Sequence, residues 1–151
     1  MPAGLIALGR DPAAWMLVSW LLILPYAWRL GTWVERACAI GIGVRLAISV
    51  ALILAFGIDH PTYPSPPLLA GLDFLTLSYF MGIVLVSDRY FVLFIAAASL
   101  IGLVSHLVML SGFAPDALDL LSPSRIGGSV MLAALAAGTF SQARRRSFRT
   151  Q

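Results

Sequence analysis

Residues 68–111 read LLAGLDFLTLSYFMGIVLVSDRYFVLFIAAASLIGLVSHLVMLS, two apolar runs, 68–86 and 89–111, with Ser87-Asp88 almost the whole connection between them. Each run is near the roughly 20 residues that an α-helix needs to cross a hydrocarbon core about 30 Å thick. A connection this short forces the two helices into a tight antiparallel hairpin. Comparable runs at 13–30, 37–57 and 125–142 complete an all-α reading: a polytopic transmembrane helical bundle of about five spans. The fifth run is rich in Gly and Ala, so it is expected to pack on other helices more than on lipid. The whole chain, 1–151, reads as a single transmembrane domain ending in a basic tail, 143–151.

Composition agrees. Hydrophobic residues make up 60% of the chain and charged residues 11%, against about a quarter charged in an ordinary soluble domain. The formal charge is +3, yet all ten basic residues are Arg, and no run of them interleaves with aromatics outside the apolar blocks. Nucleic acid is therefore not an expected partner, and the tail cluster Arg144, Arg145, Arg146 and Arg149 reads as an anchor to anionic headgroups. The single cysteine, Cys38, has no intramolecular partner and reads as a small packing residue; the chain has no CxxC or CxxCH motif for zinc or covalently attached haem. A removable signal peptide is not expected, because Arg10 and Asp11 precede the first run, Tyr26, Trp28 and Arg29 close it, and no small-residue cleavage site follows.

Arginine placement gives an orientation. With the C-terminus inside, the inner segments hold Arg29, Arg36, Arg89 and the four tail arginines, and the outer ones hold Arg10 and Arg125: seven against two, favouring N-out, C-in. Of the two outer connections, 59–67 carries four prolines and is stiff, while 111–124 holds Asp116 and Asp119, with Leu118, Leu120 and Leu121 suited to a short turn on the membrane surface. At the inner turn, Ser87 or Asp88 is expected to cap the fourth span, with Arg89 and Tyr90 at the interface.

Small residues recur every fourth position in the second span: Ala39, Gly43, Ala47, Ala51 and Ala55. Such a stripe lets a second helix approach closely, within the bundle or in a dimer. Arg45 lies nearly opposite that stripe. Helical side chains lean toward the N-terminus, here the inner side, so Arg45 is expected to snorkel to inner-leaflet phosphates, with gating or anion binding as the alternative.

The sharpest constellation is Asp73 with His106. A hairpin turning at 87–88 pairs positions summing to about 175, which sets Asp73 opposite Gly102 and one helical turn, roughly 6 Å, from His106. The two side chains lean toward each other, Gly102 leaves room between them, and Thr76 and Ser99 mirror each other one turn deeper. A carboxylate beside an imidazole either pairs with an imidazolium or orients a neutral ring so that its other nitrogen meets a metal, a haem iron or a quinone oxygen. The plainer role is interhelical glue. His60, Asp59, Asp116 and Asp119 fall on the same outer side and are weak candidates for a hard or borderline divalent metal. Bis-histidine haem ligation lacks a second intramembrane histidine, and there is no Gly-rich phosphate loop, GxSxG elbow or HExxH motif. The sequence points away from an enzyme and names no cofactor.

Glu35-Arg36 before the second span, Asp73, the run Asp88-Arg89-Tyr90-Phe91, His106, and the ending Leu135-Ala136-Ala137-Gly138-Thr139-Phe140 before the basic tail together carry a resemblance over roughly residues 34–146. On these the chain resembles a family of small multispanning inner-membrane proteins of alphaproteobacteria, of unknown function. Members more often carry Trp-Pro after Asp-Arg-aromatic and a Trp in the final Gly-Thr motif, where this chain has Phe91-Val92 and Phe140. The resemblance implies a multi-pass protein of the bacterial inner membrane and no particular reaction. Two functional expectations stand from the residues. One is a non-enzymatic accessory subunit or scaffold, its partner another membrane protein or a second copy; the other is a ligand or cofactor binder built on His106 and Asp73, with a small transporter resting on Arg45 as a third.

Overall fold

The computed structural model describes residues 12–56, 66–111 and 123–149. They form five helices: α1 (Pro12–Leu30), α2 (Trp33–Phe56), α3 (Pro66–Val86), α4 (Tyr90–Leu110) and α5 (Pro123–Arg149). No strand occurs among the described residues. Three helices start on a proline, where the missing N–H falls in the first turn and costs no hydrogen bond. Three segments, Pro67–Val86, Tyr90–Val108 and Ile126–Arg145, are long and apolar enough to cross a membrane, and Trp15–Leu30 is a shorter apolar helix. α2 is 24 residues long but carries Glu35, Arg36 and Arg45.

Helix ends depart from the sequence reading at three places. α2 begins at Trp33 instead of residue 37 because Thr32 and Glu35 form the carboxylate half of a capping box. The Thr32 amide donates to Glu35 Oε2 at 2.7 Å, and its hydroxyl donates to the same oxygen. α5 does not stop at 142; its backbone stays helical through the arginines to Arg149. α4 begins at Tyr90, and neither Ser87 nor Asp88 caps it: Val92 N donates to Arg89 O at 3.1 Å, and Ser87 Oγ is buried without a partner. Arg89 therefore holds the cap position.

The helices close into a ring. α3 and α4 share the most extensive contact, α4 packs on α5, α5 on α1 and α1 on α2, and α2 returns to α3 across the least extensive of these seams. Ile42, Phe80, Ile83, Val92, Ile95 and Leu135 fill the centre. Large apolar side chains also cover the outside: Leu22, Leu75, Leu85 and Phe94 are 65, 67, 81 and 63% exposed. Water penalises such a surface and lipid does not, which fits the three membrane-length segments.

Two aromatic residues fix α2 from either side in the same way. The Trp20 ring of α1 lies over Gly43, where a Cβ would stand 2.3 Å from Trp20 Cζ2, and its Nε1–H donates to Ala39 O at 2.8 Å. The Tyr79 ring of α3 lies over Gly41, where a Cβ would stand 2.5 Å from Tyr79 Cε1, and its hydroxyl donates to Ala37 O at 2.9 Å. In each case the carbonyl lies four residues before the glycine, so it is the one that accepts that glycine's own helical N–H. A carbonyl has two lone pairs, and the aromatic takes the second.

The small-residue stripe is consequently split. Ala39 is buried and Gly43 is covered by Trp20, but Ala47 and Ala51 are exposed, and the Ala55 side chain lies outside the described residues. α1 does not continue along the stripe because its N-terminal half turns to α5: Met16 packs where a Cβ on Gly128 would stand, 2.7 Å from Met16 Cε.

Candidate functional site

Asp73 sits seven residues into α3, about 10 Å along its axis from Pro66. Its side chain is 2% exposed. A carboxylate so placed must find donors, and it finds them on two other helices. Arg45 of α2 donates to Asp73 Oδ1 through Nη2 at 2.8 Å and Nε at 3.1 Å. His106 of α4 donates through Nδ1 to Oδ2 at 2.9 Å. Both oxygens are engaged, one by each neighbour, and the three side chains tie α2, α3 and α4 together.

Gly102 lies one turn before His106 on α4, and a Cβ there would stand 2.8 Å from Asp73 Oδ2. The carboxylate occupies the space that the missing side chain leaves. Thr76 and Ser99, one turn further in, are buried but do not bond each other. Thr76 Oγ1 donates to Leu72 O at 2.8 Å and Ser99 Oγ to Ile95 O at 3.0 Å, each within its own helix. They are satisfied hydroxyls in the α3–α4 seam.

Arg45 differs from the snorkelling expectation. Its guanidinium is committed to Asp73, and its side chain is only 13% exposed. The lean of a helical side chain is a weak preference beside an ion pair formed away from water, where Coulomb attraction is much stronger than at the surface. Arg45 and Asp73 were read separately from the sequence; the fold makes them one site.

The arrangement has one free edge. With Nδ1 committed to Asp73, the ring of His106 keeps Nε2 for another partner, and the side chain is 12% exposed. A carboxylate that fixes an imidazole in this way is the usual support for a ligating or proton-exchanging nitrogen. A metal would need more: among the described residues no three His, Cys, Asp or Glu side chains gather around a common point. His60, Asp59, Asp116 and Asp119 lie outside the described residues.

The sequence reading named Glu35 and Arg36 but missed the contacts that each makes. Glu35 is fully buried at the start of α2, with Oε2 on Thr32 and Oε1 without a partner. The Thr32-x-x-Glu35 spacing was its signal. Arg36, next in the chain, stands over the Trp28 ring with its Cζ 5.7 Å from the ring centre, which pins the end of α1 to the start of α2 by a cation–π contact. No family model matches the chain, and neither a curated protein nor a solved structure matches it.

Proposed function

We propose that this chain is a five-span bundle, N-out and C-in, of the bacterial inner membrane, and that it serves as a non-enzymatic accessory subunit or scaffold for a larger membrane complex. The observation that carries this reading is the pairing of both Asp73 carboxylate oxygens, one with Arg45 and one with His106. Ionisable groups inside a membrane usually mark transport or catalysis. Here each Asp73 oxygen is taken by a neighbouring helix, and the bonds hold α2 against α3 across the least extensive seam of the ring. That is the work of a bundle lock. The arginine distribution supports the orientation, and the resemblance to alphaproteobacterial inner-membrane proteins supports the location. The outward Leu, Phe and Ala faces suit lipid, another membrane protein or a second copy.

The test is extraction of tagged full-length chain in mild detergent, followed by mass spectrometry of what accompanies it. A defined partner in fixed ratio is expected. A stable lone monomer with no partner overturns the proposal.

A second reading is favoured by one observation, the uncommitted Nε2 of His106 beside a buried carboxylate. On this reading the protein binds a haem, a quinone or a metal there. Purified protein then shows a visible spectrum, a stoichiometric metal or an extractable quinone, and loses it in a His106→Leu variant. A transporter has less support, because Arg45 pairs with Asp73 instead of standing as a separate intramembrane charge.

A further inference from the structure

A groove of about 860 Å³ runs between α4 and α5. Its floor is small because α5 presents Ala133, Ala134, Ala137 and Gly138 there, and its α4 wall is aromatic, with Phe91 and Phe94. Phe91 lies directly on Gly138, where a Cβ would stand 2.7 Å from its ring. Along α5 the lining extends from Val130 to Arg145, fifteen residue steps, or about 22 Å of helix. One leaflet contributes about 15 Å of hydrocarbon, so the groove spans a leaflet and reaches the headgroup layer.

At its inner mouth the lining turns polar: Arg89 from the start of α4, Arg145 and Ser141 from the end of α5, with the Asp88 carboxylate beside them. The mouth thus carries two arginines and one carboxylate. Guanidinium pairs bind phosphate by forked hydrogen bonds, and basic pockets between transmembrane helices at the inner surface are suited to anionic headgroups.

We infer that this groove seats one anionic phospholipid, its phosphate held between Arg89 and Arg145 and one acyl chain lying along the small-residue face of α5. The occupant is a lipid and not a free anion because the charged mouth is continuous with a leaflet-deep apolar channel. The inference rests on the membrane reading but not on the Arg45–Asp73–His106 lock, which belongs to α2, α3 and the outer half of α4.

The full-length chain, delipidated in detergent, is titrated with phosphatidylglycerol, phosphatidylcholine and free glycerol phosphate, with bound lipid counted by native mass spectrometry. Wild type is expected to retain one phosphatidylglycerol over phosphatidylcholine by on the order of tenfold, and glycerol phosphate is expected to compete poorly. The Arg89→Gln/Arg145→Gln variant loses the preference but still takes up either lipid. Ala137→Leu, which fills the floor and leaves both arginines, loses both lipids from the groove. Raising salt on the unaltered chain reads the same preference without a variant, and it should collapse. Equal retention of the two lipids overturns the inference, as does full retention by Ala137→Leu or glycerol phosphate binding as tightly as the lipid. Uptake of neither lipid overturns the inference as well and leaves the membrane reading, which does not require a tight lipid site, standing.

Discussion

The Arg45 guanidinium bonds Asp73 Oδ1 twice, at 2.8 and 3.1 Å, across the least extensive seam of the helix ring. Breaking one side of such a pair leaves the other as an uncompensated buried charge, which costs about 3–5 kcal/mol in soluble proteins. Asp73→Ala strands both Arg45 and His106, so it should be the most damaging single substitution in the site. Arg45→Leu with Asp73→Leu removes both charges and should recover most of the loss. His106→Leu leaves the Arg45 pair intact and should cost only about 1–2 kcal/mol, the range of intramembrane hydrogen bonds. Thermal unfolding in detergent, followed by size-exclusion recovery, gives the order; equal losses for all three would sink the lock.

Gly102 offers a separate probe of the same carboxylate. Gly102→Ala puts a methyl 2.8 Å from Asp73 Oδ2, inside contact distance, and the carboxylate must shift off His106 or the helices must part. Overpacking of this kind costs about 1–3 kcal/mol. In an Asp73→Ala background the space is empty, and the same substitution should be nearly neutral. A double-mutant cycle measures this coupling. Additive losses would mean that the glycine is needed for something other than the carboxylate.

How much of this was legible in the sequence depends on the connections. The two-residue turn at Ser87-Asp88 pins the register of α3 against α4, so the proximity of Asp73 and His106 follows from counting. The chemistry of that pair does not. The connection between α2 and α3 is too long for its length alone to set their register, so nothing in the spacing brings Arg45 to Asp73. The expected lean of Arg45 considered only its own helix and led away from the true partner. The small-residue stripe was legible as a packing surface, but not where its partner helix would leave it: Met16 turning onto Gly128 takes α1 away from Ala47 and Ala51. Thr32-x-x-Glu35 was readable as a cap and would have moved the start of α2 by a turn.

The Trp20 and Tyr79 contacts predict a rank order. Tyr79→Phe removes one hydrogen bond from the α2–α3 seam and keeps the ring, at a cost of about 0.5–1.5 kcal/mol. Gly41→Ala and Gly43→Ala instead drive a methyl into a ring that would lie 2.5 or 2.3 Å away, so the rings must move and lose their carbonyls as well. Both should exceed Tyr79→Phe, and Gly43→Ala should also change the fluorescence of Trp20. Glycine variants as stable as Tyr79→Phe would show that the rings are free to tilt.

Cys38 makes the topology testable with little background. Its side chain is fully buried, so the folded wild-type chain should resist a membrane-impermeant maleimide before and after the bilayer is opened. Thr150→Cys places a thiol on the basic tail and Ser65→Cys places one in the proline-rich connection, with α3, α4 and α5 between them. If all three helices cross, an odd number separates the two thiols and they must label from opposite sides. The arginine distribution further expects Ser65→Cys to react in intact cells and Thr150→Cys only after permeabilisation. Labelling with the sides exchanged reverses the orientation and leaves the helix count standing. Labelling of both from one side removes a crossing, and α5 is then the helix to doubt, because its small residues favour helix contact over lipid and its last turns are arginine-rich.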